Sequence, residues 1–303
     1  MTNFSGISLR DLQYVVAVAD HGSFVRAAEH CSVAQPSLSA QVRRLEAWMG
    51  ITIFERTTRR VLVTEEGRRF VEQARKVLAE ARHLFIVAQR SDGPFGGPLH
   101  LSAIATLGPY FFPRVLRKLR DDYPTLALIL GEGLTGELVP KLIAGEIDAV
   151  LLTLPHADPA LSTAPIFSEP FLLACPRGHP ASQGGGLTWD DLPANERLLL
   201  EEGHCLREQA LAACSSVDHS SRHGTSLETL KYMVAAGEGC TFVPALAVTD
   251  SDAVVYSPLP LPDYSRTIGL AWRRSDPRSA AFAALAENLR TFARSLGLPL
   301  GAP

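Results

Sequence analysis

The stretch GHCLREQALAAC, residues 203–214, sets Cys205 and Cys214 nine residues apart. Two thiols that can meet store two electrons as a disulfide, and the thiolate is the nucleophile in that chemistry. Between them lie Leu206, Gln209, Ala210, Leu211, Ala212 and Ala213, good or tolerable helix formers. Nine helical steps separate the two Cα atoms by roughly 13–14 Å and turn them about 180° apart, whereas a disulfide needs Cα atoms within about 7 Å. Either the two thiols never meet, or they meet only when the helix between them is dismantled. Cys205 follows Gly203-His204 at the start of that helix, where free N–H groups and the dipole favour an anion, and Arg207 adds positive charge. Glu208 places a carboxylate on the next turn, and Cys214 lies at the far end among alanines.

The elements that must hold these groups come from strand and helix patterns after residue 98. LHLSAIA, ALILGE and IDAVLLTL are β-rich runs, alternating with amphipathic stretches around FFPRVLRKLRDDYP and TGELVPKLIAGE. Such alternation predicts a parallel sheet with helices on both faces, where ligands bind beyond the carboxyl ends of strands. Thr106 and Thr135 fall just after two of those strands; either could equally cap a helix. FLLACPRGHP, LTWDDL, RLLLEEG and the following helix predict a second α/β unit, and Thr267–Trp272 a strand returning to the first.

The first sixty residues follow a different plan. Leu9, Leu12, Val15, Val16 and Ala19 recur at helical spacing, His21-Gly22 ends that helix, and Ser23 caps a second. A third helix opens at Gln35-Pro36 and runs through Leu38, Val42, Leu45 and Met49 to Gly50. Ser37, Ser39, Gln41 and Arg43 occupy its other face, with the donors and acceptors that base edges and phosphates require. ITIFERTTRRVLVTEEG then reads as a hairpin with arginines at its tip. Phe70, Ala74, Val77, Ala81, Leu84 and Ala88 form a heptad seam on a helix from Thr64 to about Arg90, suited either to dimerisation or to packing on its own domain. RSDGPFGGP reads as a linker.

Composition narrows the classes. The net charge of -3 excludes a global nucleic-acid footprint, so DNA binding must rest on a local patch. Residues 1–69 hold nine Lys+Arg against seven Asp+Glu, and Arg43, Arg44, Arg56, Arg59 and Arg60 are grouped. No run of 18 or more apolar residues exists and the start lacks a secretory pattern, so no membrane partner and a cytoplasmic location are expected. Five cysteines in that setting predict reduced thiols at rest. Cys205, Cys214, His219 and His223 include an H-x3-H pair, but eight residues between the cysteines is not zinc-ligand spacing, so no metal and no cofactor are expected. Cys31, Cys175 and Cys240 read as small buried hydrophobes.

FVRAAEHCSVAQPSLSAQVRRLEAWMGITIFERTTRRVLVTEEG resembles the N-terminal domain of LysR-type transcriptional regulators over more than forty residues. Ala34 stands where that family has serine. GGPLHL, TLGPYFFPRV, LLEEGHCLREQAL, TSLETLKYMVAAGEG, PALAV and RTIGL extend the similarity into the peroxide-sensing branch of the family, nearly to the end of the chain. Glu208 replaces that branch's aspartate, and the loop CSSVDHSSRHGTS is shorter and lacks its aromatic residues.

The resemblance implies an all-α winged helix-turn-helix at residues 1–66, a dimerising linker helix at 67–90 and a hinge at 91–98. It further implies an α/β, two-lobed, periplasmic-binding-protein-like effector domain at 99–303, with lobes at 99–168 plus 267–303 and at 169–266. Gln35, Pro36, Ser37, Ser39 and Arg43 would face DNA, with Arg56 and Arg59 at the wing. Cys205 would be the peroxidatic thiol and Cys214 the resolving one, joined by a reversible disulfide, with Thr106, Thr135, His204, Arg207, Glu208 and Arg266 around the peroxide. The implied partners are double-stranded promoter DNA, further copies in a homodimer and homotetramer, RNA polymerase, hydrogen peroxide as signal and a glutaredoxin- or thioredoxin-type reductant. A thiol peroxidase would share the thiol chemistry without explaining the helix-turn-helix, so a non-enzyme is expected. A regulator of this family answering an organic effector, with non-redox cysteines, is the other reading.

Overall fold

The computed structural model describes residues 6–56, 61–88, 95, 97–183, 189–212, 223–259 and 264–296. The chain divides into two compact units, the first spanning residues 1–91 with 143–146 and the second the remainder.

In the first unit, α1 (Leu9–His21) starts at a capping box: Ser8 accepts from the Asp11 N–H while the Asp11 carboxylate accepts from the Ser8 N–H. Gly22, at φ 56°, ends it in the left-handed conformation. Ser23 caps α2 (Phe24–His30), and α3 (Gln35–Met49) follows after a four-residue turn. Ala34 sits at the N-cap of α3 with no side-chain hydrogen bond. Leu38, Val42 and Leu45 are buried against α1 and α2 as their spacing predicts, whereas Met49, assigned to the same stripe, is 39% exposed. Glu46 Oε1 accepts from the N–H groups of Ile53 and Phe54, tying the end of α3 to a hairpin of β1 (Phe54–Arg56) and β2 (Val61–Val63).

Thr64 caps the next helix through the Gly67 N–H at 2.8 Å, and α4 (Glu65–Ala88) runs from there. Its apolar residues fall on two faces. Val71, Ala74 and Leu78 are buried, Ala74 and Leu78 together with Leu12 of α1, so Ala74 of the expected seam packs within its own unit. Val77 and Leu84, one heptad apart, are 40% and 71% exposed.

In the second unit the elements are β3 (Leu99–Ile104), α5 (Gly108–Asp122), β4 (Leu128–Gly133), α6 (Thr135–Ile143), β5 (Ala149–Leu154), β6 (Leu161–Pro176), β7 (Leu199–Leu200), α7 (Cys205–Ala212), β8 (His223–Gly224), α8 (Leu227–Ala235), β9 (Thr241–Pro244), β10 (Val254–Pro258), β11 (Ser265–Arg273) and α9 (Ser279–Ser295). The strand order is β10-β6-β11-β5-β3-β4, with β9 also on β6. Among the described strands of this sheet, only β3–β4 and β3–β5 are parallel; β11 runs antiparallel to both β5 and β6. The sheet is therefore mixed rather than parallel, because β6 and β11 are the strands by which the chain leaves the first lobe and returns. The sixteen-residue β6 serves both lobes: residues 161–170 pair with β11, and residues 171–176 pair with β9 and β10. β7 and β8 form a separate parallel pair, and the second lobe closes over Trp189, Phe242, Leu230 and their neighbours. No helix among the described residues is long and apolar enough to cross a membrane.

Candidate functional site

Cys205 is the first residue of α7, partly exposed and a free thiol. The bend that delivers it depends on Gly203, whose φ of 93° is a region L side chains avoid; a Cβ there would also lie 3.1 Å from Leu134. The carbonyl of His204 accepts from the Arg207 N–H at 2.9 Å, forming the first turn and leaving the sulfur beside the positive end of the helix. The Thr153 hydroxyl lies 3.6 Å from Sγ, within hydrogen-bonding reach of sulfur.

The sheet places Thr153. On β5 it stands opposite Ile268 of β11, and two residues along β11 on the same face is Arg266, opposite Glu169 of β6. Arg266 and Glu169 form an ion pair at 2.7 Å with both side chains fully buried. Arg266 also donates Nη1 to the Thr106 hydroxyl at 2.8 Å and Nη2 to the Thr106 carbonyl at 3.1 Å, while Glu169 Oε2 accepts from the Leu246 N–H. One guanidinium thus joins the residue after β3 to the crossover strand β6, with partners for Nε, Nη1 and Nη2, and Glu169 carries the link on to the turn after β9.

Of the residues assigned to the peroxide site, Thr106 and Arg266 are joined directly, and His204 is buried next to Cys205. Burial holds the His204 pKa below its ordinary value, against a hydrogen bond to the Thr225 main chain and the charge of Glu201 that work the other way, so the imidazole is neutral at pH 7. Arg207 donates to the Leu200 carbonyl at 2.9 Å and so anchors α7 to β7. The Glu208 side chain is exposed, and Thr135 opens α6 as its first residue. Cys214 and His219 lie outside the described residues, as does Arg59; of Arg56 the backbone is described, in β1.

On α3, Gln35, Pro36, Ser37 and Arg43 are exposed, together with Arg44. Ser39 is not; at 8% exposure it lies on the margin of the Leu38–Val42 stripe, which corrects the expectation that it faces DNA. At about 100° per residue, Ser39 lies roughly 60° round the helix from Val42, on the edge of the buried stripe.

Two residues of the site escaped the sequence reading. Thr153 ends an apolar strand just as Thr106 follows one, and the rule about carboxyl ends of strands pointed to it equally. Glu169 was signalled by its place in IFSEPFLLACP, a lone charge inside an apolar run, which a strand tolerates only with a buried partner.

A helix-turn-helix with an α3 of this polarity, followed by a two-lobed α/β unit around a helix-terminal thiol, matches two family descriptions. Residues 9–68 match "Bacterial regulatory helix-turn-helix protein, lysR family", and residues 92–294 match "LysR substrate binding domain". The chain belongs to the LysR family of bacterial regulators. Within it, the chain is 42% identical over 290 residues to the DNA-binding transcriptional dual regulator OxyR of Escherichia coli (strain K12), covering 94% of this chain and 95% of that one. A full-length OxyR variant from Pseudomonas aeruginosa superposes with a TM-score of 0.75 at 38% identity, covering 94% and 95% of the two chains. A Corynebacterium glutamicum OxyR mutant described as H2O2-bound superposes with a TM-score of 0.63 at 30% identity, covering 95% and 94%.

Proposed function

We propose that this chain is a hydrogen-peroxide-sensing regulator of transcription, which binds promoter DNA and changes conformation through a reversible Cys205–Cys214 disulfide to control antioxidant genes. The observation that carries this reading is the placement of a partly exposed thiol at a helix N-terminus against the Thr153 hydroxyl, in a chain whose relatives include an OxyR with H2O2 bound.

The chemistry balances in two steps. The Cys205 thiolate attacks one oxygen of H2O2, the O–O bond breaks, and the departing oxygen leaves as hydroxide, giving a sulfenic acid. Cys214 then attacks that sulfur, expelling water and forming the S–S bond, so one peroxide takes two electrons from two thiols. Thr153 stands where its hydroxyl can hold the peroxide or hydrogen-bond the sulfur, and Thr106, Thr135, His204, Arg207, Glu208 and Arg266 shape the surroundings. Because the helix begins at Cys205 and is described through Ala212, the disulfide requires this segment to unwind, and the unwound segment repacks the assembly of subunits. A glutaredoxin- or thioredoxin-type dithiol returns the two electrons.

On the DNA side, β1 and β2 act as a wing carrying Arg56 and Arg59, and Gln35, Pro36, Ser37 and Arg43 meet the major groove. The exposed Val77 and Leu84 of α4 supply a dimer seam, and dimers assemble into a tetramer that contacts RNA polymerase in the cytoplasm. The two-lobed unit is of the periplasmic-binding-protein type. The chain reacts once per oxidation event and does not turn over as a peroxidase.

The test is footprinting of the reduced and peroxide-treated protein on a promoter it binds. The expected result is a footprint that shifts on oxidation and returns with a dithiol reductant; an identical footprint in both states would refute the proposal.

A further inference from the structure

Cys175, His179 and Cys240 form a second cluster, apart from Cys205. Cys175 lies near the end of β6, His179 in the turn that follows, and Cys240 immediately before β9; all three ligand atoms lie within 4.8 Å of one another. Register explains the meeting. Thr241 pairs with Ala174 across β6 and β9, so the next step along both strands brings Cys240 to Cys175. Gly178, at φ 84°, then turns the chain so that His179 comes back over the pair. Both thiols are fully buried in the second-lobe core, and the His179 side chain is 17% exposed.

We propose that this cluster is a binding site for a thiophilic d10 cation, Zn2+ or Cu+, with Cys175 Sγ, Cys240 Sγ and His179 Nδ1 as ligands. Four observations support it. The first is distance: a thiolate at about 2.3 Å and an imidazole nitrogen at about 2.05 Å from one ion stand about 3.6 Å apart in tetrahedral and about 3.8 Å apart in trigonal geometry. Cys240 Sγ and His179 Nδ1 are 3.8 Å apart. The second is the tautomer. Nδ1 accepts from the Ala181 N–H at 3.1 Å, so it carries no proton, and Nε2–H is left to donate to Glu196 Oε2 at 3.1 Å. That is the form a metal requires, and a carboxylate behind the far nitrogen is the usual device for orienting a ligating imidazole.

The third is rigidity. The Cys240 N–H donates to the Glu196 carbonyl at 2.7 Å and its carbonyl accepts from the Leu198 N–H at 2.9 Å, so the segment carrying Glu196 also fixes one of the thiols. The fourth is ligand type: two sulfurs and one imidazole select Zn2+ or Cu+ over the hard cations. Binding replaces two S–H bonds by two metal–sulfur bonds and releases two protons, and the cation takes the Nδ1 lone pair from the Ala181 N–H. With Zn2+ the bound group is electrically neutral, and water can reach a fourth position from the partly exposed histidine side. With Cu+ three ligands suffice. In sequence the trace is Cys-x3-His in ACPRGHP; the third ligand lies just before β9, more than sixty residues away.

The experiment loads the full-length reduced chain with Zn2+ alone or Cu+ alone, removes excess ion, and measures metal per chain together with the rate of alkylation of each cysteine by peptide mapping, in urea just below the unfolding transition so that the buried thiols open to the reagent. About one equivalent of one cation should stay bound, with Cys175 and Cys240 protected from alkylation only when it is present. His179→Gln removes one of three ligands and should weaken retention by more than the roughly 10- to 100-fold that loss of a group merely orienting a ligand costs. Retention of Zn2+ or of Cu+ identifies the ion. Failure to retain either, or retention without a change in the labelling of Cys175 and Cys240, would overturn the proposal. Labelling of the unsubstituted chain decides the matter even if Cys175→Val and Cys240→Val do not fold.

Discussion

The Thr153 hydroxyl stands 3.6 Å from the sulfur of Cys205, joining the end of a central strand to the first residue of a helix in the other lobe. Thr153→Val keeps the shape of the strand and removes only the hydroxyl. A hydrogen bond of about 1 kcal/mol in the reacting complex corresponds to roughly a 5-fold change in rate. The expected outcome is a loss of that order in the second-order rate of Cys205 oxidation by peroxide, measured as disappearance of free thiol, with the unfolding midpoint little changed.

Glu169→Ala leaves the Arg266 guanidinium buried beside Thr106 with no counter-charge. Removing one partner of a buried pair costs about 3–5 kcal/mol. Urea unfolding should show that loss as a shift in midpoint at unchanged slope, whereas Thr106→Val, which deletes one hydrogen bond to the same group, should cost about 1.5–3 kcal/mol.

His204 makes stability depend on pH in a defined direction. Its folded pKa is depressed by burial, so the unfolded chain takes up the proton first as the solution is acidified. The contribution is present above the unfolded value of about 6.5 and is lost as pH falls through it. Unfolding measured from about pH 8 to pH 5 should show less acid destabilisation in His204→Asn than in the unsubstituted chain; parallel curves would contradict the assignment.

Cys205→Ser should abolish the peroxide-dependent change in footprint while leaving reduced-state DNA binding intact. A normal peroxide response in this variant would refute a sensing role for this thiol. Peptide mapping after mild peroxide should show Cys205 joined to Cys214; a link to any other cysteine would refute the unwinding of α7.

Ser39 and Arg43, four residues apart on α3, should separate into two kinds of variant. Arg43 is exposed, and Arg43→Ala should weaken binding to the operator and lower the salt slope by about one. Ser39 is buried, and Ser39→Ala should act on stability by about 0.5–1.5 kcal/mol, leaving the salt dependence unchanged.

Local signals were strong in the first unit because helix ends and apolar spacing are short-range properties. Gly22, Ser23 and Gly50 mark ends that the structure places as caps, and Leu38, Val42 and Leu45 are buried as their spacing requires. The same periodicity erred at its margins. Ser39 and Met49 exchanged the environments expected of a polar and an apolar residue, because Ser39 sits on the edge of the buried stripe and Met49 is the last residue of the helix, one turn beyond the last buried one.

By itself, the sequence determined that a thiol would open a helix at Cys205, since Gly203 and the helix formers after it act within a single turn. It also determined the alternation of strands and helices around that thiol and the polar face of α3. Only the tertiary structure decided which side chains meet it. Glu169 reaches Arg266 and Cys240 reaches Cys175 through strand register, and Thr153 reaches Cys205 where the start of α7 meets the end of β5, relations between residues 97, 65 and 52 positions apart. Register depends on which strands pair and on where β6 passes from one lobe to the other, and no window of local residues contains that information.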